Sequence, residues 1–379
     1  MSKLEELIAK LCPNGVEYKK IAETTTMLRG VRLVRNELEK EGKYPVYQNS
    51  MSPLGYYKEY NCNRDTAFVI SAGAAGEIGY SKNPFWAADD CWFFICPANL
   101  SNKFLYYALL CQQQYIYSRV RRASVPRLAR NVIDNIKIPI PPMEVQKEIV
   151  RILDKFTELT AELTAELTAR KKQYEFYRDK LLKGNKYSYK IMQLGEIGSV
   201  NMCKRIMKAE TSAQGDIPFY KIGTFGKQAD AYISKETFEK YKKMYPYPKQ
   251  GDILISAAGT IGRAIIFDGE PAYYQDSNIV WLNNDETTVL NKYLYYCYQL
   301  QPWAVSTGGT IPRLYNDNIL KAKIPVPPLE KQKRIVEILD RFDKLCNDLA
   351  EGLPAEIEAR KKQYEYYRDQ LLTFNEIRN

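Results

Sequence analysis

Ile138-Pro-Ile-Pro-Pro-Met-Glu-Val-Gln-Lys-Glu-Ile-Val-Arg-Ile-Leu-Asp154 returns as Ile324-Pro-Val-Pro-Pro-Leu-Glu-Lys-Gln-Lys-Arg-Ile-Val-Glu-Ile-Leu-Asp340, an offset of 186 between positions 138 and 324. A match of this length fixes the architecture before any single motif does, because each copy is then one structural plan. Further on, Ala169-Arg-Lys-Lys-Gln-Tyr-Glu-Phe-Tyr-Arg-Asp-Lys-Leu-Leu182 recurs as Ala359-Arg-Lys-Lys-Gln-Tyr-Glu-Tyr-Tyr-Arg-Asp-Gln-Leu-Leu372 at an offset of 190, so the second copy has gained four residues. Upstream the echo is fainter but keeps its order. Lys20-Ile-Ala-Glu23 pairs with Gln193-Leu-Gly-Glu196, Tyr44-Pro-Val-Tyr47 with Ile217-Pro-Phe-Tyr220, and Val125-Pro-Arg-Leu128 with Ile311-Pro-Arg-Leu314. The copies diverge most between a shared tyrosine and a shared serine, where Tyr47 to Ser71 spans 24 positions and Tyr220 to Ser256 spans 36.

Each copy therefore reads as a variable globular module followed by a more uniform helical arm. Pro141-Pro142 and Pro327-Pro328 close an extended segment, since proline disfavours helix in the residue before it yet is tolerated at a helix start. Beyond them Ile149, Ile152, Leu153, Phe156, Leu159, Leu163 and Leu167 recur at spacings of three and four, as do Ile335, Ile338, Leu339, Phe342, Leu345 and Leu349. A continuous helix over 143–182 would extend about 60 Å at roughly 1.5 Å per residue, too long to bury on one small module, so the expected partner is the other arm, antiparallel. Glu351-Gly-Leu-Pro354 interrupts the second stripe and predicts a kink there. In the modules, β-rich runs at 67–71, 252–256 and 279–282 alternate with helix-like stretches at 102–111 and 291–300, which makes the fold class α+β. The divisions expected are a first module over 1–140, a central arm over 141–185, a second module over 186–326 and a C-terminal arm over 327–379.

The composition fits such a two-module chain. Its 379 residues, 45% hydrophobic, can bury a sizeable core, and 55 Lys and Arg against 45 Asp and Glu give a net charge of +10 that suits a polyanionic partner. There are thirty tyrosines and no histidine, which removes the usual general base and metal ligand at neutral pH. The eight cysteines are scattered, with no CxxC pair, so no metal site and a reduced, cytoplasmic setting are expected. The first eleven residues alternate charged and apolar types like a short amphipathic helix, and no apolar run approaches the roughly 18 residues of a membrane span.

Catalytic signatures are missing. A methyltransferase needs a glycine-rich cofactor loop and an Asn/Asp-Pro-Pro-aromatic turn, and both Pro-Pro pairs here lack that context. Gly73-Ala-Ala-Gly-Glu-Ile-Gly79 and Gly259-Thr-Ile-Gly262 fit neither GxGxxG nor GxxxxGK[ST]. They read as strand-to-turn crossings where glycine permits positive φ and close backbone approach. Asp89, Asp90 and Asp252 lack the Glu-x-Lys partner a nuclease would place beside them and read as turn residues.

The doubled Ile-Pro-x-Pro-Pro-x-Glu-x-Gln-x-x-Ile-Val-x-Ile-Leu-Asp, with a globular module before each copy, resembles the specificity subunit of type I restriction-modification systems over essentially the whole chain. That resemblance implies two target-recognition domains, each reading one half of a split, asymmetric site on double-stranded DNA, bridged by two long antiparallel helices with internal pseudo-two-fold symmetry. It implies docking of two methyltransferase subunits, joined by restriction subunits, and no cofactor on this chain, S-adenosylmethionine belonging to the methyltransferase. The stretch Thr157-Glu-Leu-Thr-Ala-Glu-Leu-Thr-Ala-Glu-Leu-Thr168 resembles the tetrapeptide repeats that set the spacer between half-sites in one branch of that family. Four helical residues turn about 400°, a net 40°, against roughly 34–36° for one base pair, though their rise of about 6 Å overshoots it. A structural scaffold and an autonomous nuclease or methyltransferase are the readings from other classes.

Candidate DNA contacts follow from charge and divergence. Ser118-Arg-Val-Arg-Arg-Ala-Ser-Val-Pro-Arg-Leu-Ala-Arg130 gathers Arg119, Arg121, Arg122, Arg127 and Arg130, and its counterpart keeps Arg313. Loop arginines suit phosphate or guanine. Gln48, Asn49, Lys221 and Thr224, just after the shared Pro-x-Tyr, stand where sequence-reading residues should lie, and Lys204 and Arg205 could add phosphate contacts. Tyr174, Tyr177, Tyr364 and Tyr367 lie at helical spacing beside Lys171-Lys172 and Lys361-Lys362, which suits core packing or a methyltransferase interface.

Overall fold

The computed structural model describes residues 3–183, 189–305 and 312–377. The chain divides into two compact units, Met1–Thr164 with Glu356–Asn379, and Ala165–Ala355. Each carries the same plan. In the first, a four-stranded antiparallel sheet runs in the order Thr26–Arg29, Cys91–Ile95, Thr66–Ile70, Ile78–Ser81. A three-stranded mixed sheet places Tyr44–Tyr47 between Gly55–Tyr57 and Trp86–Ala87. The second unit repeats both, as Ser199–Met202, Ile279–Asn283, Ile253–Ser256, Ala264–Ile266 and as Ile217–Tyr220 between Tyr232–Ile233 and Tyr273–Tyr274. The Thr66–Ile70 and Ile253–Ser256 strands are buried throughout, as their largely apolar sequence predicts for a strand covered on both faces. The expected runs thus appear as strands, and the helices Asn102–Cys111 and Asn291–Gln299 lie where the sequence places them.

The difference between the modules is local. The extra residues after Tyr220 accommodate a helix, Lys235–Met244, just after the strand Tyr232–Ile233, where the first module has only loop after the equivalent strand Gly55–Tyr57. One correspondence shifts. Leu128 N donates to Ser71 O and Leu314 N to Ala257 O, so the partner of Ser71 is Ala257 rather than Ser256.

The first arm is one helix, Met143–Lys183. The second is two, Leu329–Asn347 and Leu353–Leu371, and the four additional residues fall in the break between them. Gly352 N donates to Asp348 O, and a β-carbon on Gly352 would lie 2.5 Å from Lys344 O and 2.7 Å from Asp348 O. Pro354 sits in the first turn of the following helix, where its missing N–H costs nothing. Leu349, expected on the apolar stripe, is instead 84% exposed in this break and lies on neither helix.

Each unit is closed by two arm segments. In the second, Tyr177 stacks on Phe342 at 5.9 Å, Tyr174 lies 6.3 Å from the same ring, and Cys346 lies in the field of Lys171 and Arg170, so residues 165–183 and Leu329–Asn347 run antiparallel. In the first, Phe156 stacks on Tyr367 at 5.5 Å. Phe156 and Phe342, and Tyr177 and Tyr367, are repeat equivalents at offsets of 186 and 190. Each module is therefore covered by the start of the arm that follows it and the end of the arm that precedes it in cyclic order. For the first module the preceding arm is the C-terminal one. Val16 N donates to Asn375 O and Ile377 N to Val16 O, which ties residues 375–377 beside the first strands.

The repeated motif is explained by its polar residues. Gln146 is fully buried: its amide donates to Pro141 O at 2.7 Å and Asn99 O at 2.8 Å, and its carbonyl accepts from Ser101 N at 2.9 Å. Gln332 repeats this with Pro327 O, Thr288 O and Leu290 N. The glutamine thus latches the Pro-Pro turn to the start of the module's main helix. The closing aspartates, Asp154 and Asp340, accept hydrogen bonds from the Tyr107 and Tyr296 hydroxyls and pair with Lys103 and Lys292. Among the described residues, no helix is long and apolar enough to cross a membrane.

Candidate nucleic-acid interface

In the first unit, four segments meet beside one end of the four-stranded sheet. Tyr47 O accepts from Ala88 N, which sets Gln48 and Asn49 next to the turn at 88–90, and Gln48 Nε2 lies 3.5 Å from Asp89 Oδ1. Asn49 O accepts from Ala74 N at 2.9 Å. Gly73 makes this approach feasible: its φ is +80°, and a β-carbon there would lie 2.7 Å from Asn49 O. The glycine stretch is thus a backbone crossing, as read from sequence. Gly73 N in turn donates to Pro126 O, and Arg121 and Arg127 exchange both backbone hydrogen bonds, at 2.8 and 3.1 Å. The arginine run is therefore a tight turn pinned beside Asn49.

The arginines differ in availability. Arg121, Arg122 and Arg127 are exposed, and among the described residues none has a carboxylate partner. Arg119 is exposed with its guanidinium 5.2 Å from the Tyr115 ring. Arg130 is engaged, donating to Met27 O at 2.8 Å and pairing with Asp134 at 3.2 Å, so it braces the helix Arg130–Asp134 against the sheet. Arg29, which the sequence reading passed over, donates to Asp89 O at 2.6 Å and fixes the same turn from the other side. The repeat gave no signal for it, since Met202 stands at the equivalent position, and its bond is to a carbonyl sixty residues away.

In the second unit Lys221 is half-buried and paired with Asp230 at 2.8 Å, and Thr224 Oγ1 accepts from Lys221 N, so both stabilise their turn. Lys204 lies over the Tyr245 ring at 5.1 Å, and Arg205 pairs with Asp276 at 2.9 Å. Arg313 donates to Ser277 O at 2.8 Å and lies 6.0 Å from the exposed Tyr315 ring. It borders an open concavity of about 720 Å³ that Met202, Ser277, Tyr315, Asn316 and Lys321 also line. The segment preceding Arg313, counterpart of the arginine turn, lies outside the described residues.

The aspartates considered for nuclease chemistry serve structure, Asp90 through its backbone carbonyl and Asp252 through its carboxylate. Asp90 O accepts from both N and Oγ of Ser71, and Asp252 is 4% exposed, caps Lys249 N at 2.8 Å and has its pKa raised by burial. On the arms, Tyr174 is buried and donates to Gln299 at 2.9 Å, and Tyr364 packs half-buried against the first module's core. Tyr177 and Tyr367 are 38% and 41% exposed, each with one face on a phenylalanine. Leu163 and Leu167 are half-buried, whereas Leu159 and Leu345 are 49% and 37% exposed.

The sequence profile of the type I restriction modification DNA specificity domain matches twice, over residues 13–170 and 187–359. A Haemophilus influenzae protein described as a type I restriction enzyme specificity subunit is 47% identical over 373 residues, covering 95% of this chain and 96% of that protein. An Escherichia coli type I restriction enzyme specificity subunit is 38% identical over 258 residues, 63% of each chain. Among solved structures, the S subunit of a type I restriction-modification system from M. genitalium superposes with a TM-score of 0.62 at 17% identity, over 94% of this chain and 96% of that one. A chain from a study of type I complex assembly and conformational transition gives 0.59 at 15% identity, over 96% and 98%.

Proposed function

The chain belongs to the type I restriction-modification specificity family, and from that premise we propose that its two modules bind the two halves of a split, asymmetric site on double-stranded DNA. It is a recognition subunit and not itself an enzyme. The observation that carries the proposal is the pairing of one scaffold with two sets of loops: identical sheet orders hold an arginine turn beside Gln48 and Asn49 in one unit and an Arg313-bordered concavity in the other. A common frame with divergent edges suits reading of two different half-sites, arginine to phosphate or guanine and Asn or Gln to adenine.

Two methyltransferase subunits would dock on the repeated arms, one per copy, each carrying S-adenosylmethionine, with restriction subunits joining the assembly in the cytoplasm. The Thr-Ala-Glu-Leu run lies within the unbroken helix Met143–Lys183, as a spacer between half-sites requires. The test is co-expression with the cognate methyltransferase and single-molecule mapping of methylated bases. We expect a split motif that depends on this chain, loses its first-module half in an Arg121→Ala, Arg122→Ala, Arg127→Ala triple variant, and shortens its spacer when one Thr-Ala-Glu-Leu unit is deleted. An unchanged methylation pattern with and without a folded, partner-bound chain would replace this reading by the scaffold one.

A further inference from the structure

Each module carries an exposed basic segment at the same place in the fold. It follows the edge strand Thr26–Arg29 in the first unit and Ser199–Met202 in the second, and leads into the short helical turns Arg35–Glu37 and Lys208–Glu210. Aligned at the offset of 173 that relates Lys20-Ile-Ala-Glu23 to Gln193-Leu-Gly-Glu196, Arg32-Leu-Val-Arg35 matches Arg205-Ile-Met-Lys208. The shared pattern is cation, inward apolar residue, outward apolar residue, cation.

The backbone of this segment is locked. Gly30 N donates to Cys91 O and Val31 N to Ala87 O, Leu33 is buried against Val46 and Ala88, and Val34 N donates to the Glu37 carboxylate at 2.9 Å. In the second unit Ile206 packs inward and Met207 N donates to the Glu210 carboxylate at 2.8 Å. The only carboxylate within each loop is thus committed to a backbone cap. The outward apolar residues, Val34 and Met207, are 53% and 61% exposed. Arg32, Arg35 and Lys208 are exposed, and among the described residues their charged ends have no ion pair or hydrogen bond.

Two cations held on a rigid backbone, three positions apart and flanking an exposed aliphatic side chain, both unpaired in the first unit and one of them in the second, suit adjacent phosphates with the apolar group against deoxyribose. The first-unit loop also leaves the strand at Arg29, whose guanidinium holds the Asp89 turn beside Gln48, so it continues the face already assigned to recognition. We infer that the segments 32–35 and 205–208 are a pair of sequence-independent phosphate clamps, one per module, that hold duplex DNA against the reading loops. This rests on the DNA-binding function proposed above. The first clamp is the stronger, because Arg205 shares its charge with Asp276 while Arg32 and Arg35 share theirs with no carboxylate.

The experiment uses the whole chain in complex with its methyltransferase and measures affinity for a cognate and a scrambled duplex as a function of salt. In the Arg32→Ala, Arg35→Ala variant, loss of two phosphate contacts should reduce the slope of log K against log salt by about two and weaken binding to both duplexes roughly tenfold or more. The methylated sequence should stay the same, and Arg32→Lys, Arg35→Lys should restore most of the slope. An unchanged slope in a complex that still methylates a split motif overturns the clamp and leaves the recognition function standing. Loss of methyltransferase from the complex on purification assigns the loop to a protein interface and overturns it too. A wild-type complex without sequence preference would overturn both.

Discussion

Replacing Gln146 by methionine keeps the side-chain volume but strips three hydrogen bonds from a site with no access to water. Ser101 N loses its acceptor, and Asn99 O and Pro141 O lose their donor. Each bond contributes about 1 kcal/mol net, and a buried polar group left unpaired costs about 1–3 kcal/mol, so the change should destabilise the first unit by about 3–5 kcal/mol. For a unit of this size that lowers Tm by roughly 6–20 °C. Gln332→Met should give a matching loss in the second unit, whose three bonds are the same in kind. Differential scanning calorimetry of each variant reads both transitions. A well-folded Gln146→Met protein whose Tm falls by less than about 2 °C would refute the latch role, since water or a rearranged turn would then be satisfying those groups. The target sequence should be unaffected in either case, because the latch faces no candidate DNA-contacting residue.

The stacked pairs invite a double-mutant cycle: Phe156 with Tyr367 and Tyr177 with Phe342 should each show a coupling of about 0.5–1.5 kcal/mol in chemical denaturation, and a coupling near zero would mean these rings merely touch. Glu148, bonded first to Arg151 and then to Lys3, has its carboxyl held down at about 2 against an ordinary 4.5. A lowered folded-state pKa contributes stability that is present above about pH 4.5 and is lost as pH falls toward 2. Glu148→Gln should therefore destabilise the first unit at pH 7 and make no difference near pH 2; the second arm has Arg334 at the equivalent position and provides an internal control. Gly15→Ala should loosen the end of the chain, because Gly15 has φ +94° and a β-carbon there would lie 2.2 Å from Asn375 O. Hydrogen exchange at Val16 and Ile377 should accelerate, and unchanged protection would show that the 375–377 segment is held by other contacts.

Much of this protein is legible in one dimension because it is written twice. The offset of 186 between the Ile-Pro-x-Pro-Pro copies determined the two-module plan, the α+β class followed from apolar period and length, and the interruption of the stripe at Glu351-Gly-Leu-Pro354 located the break around Gly352. Those are properties of local sequence, where spacing and proline or glycine chemistry act over a few residues. What only the tertiary structure decided is which groups remain free once the chain has closed. Arg130 and Arg127 look alike in sequence, yet the first is tied to Met27 O and Asp134 and the second is open. Leu349 continues the stripe on paper and stands in solvent in space. The length of the first arm already demanded a partner helix, but only the structure shows that each module is covered by the start of one arm and the end of the other. Long-range hydrogen bonds such as Arg29 to Asp89 O and Gln146 to Asn99 O carry no periodic signature. They depend on which strands become neighbours, which the repeat implies only as a pattern and the packing of the core makes definite.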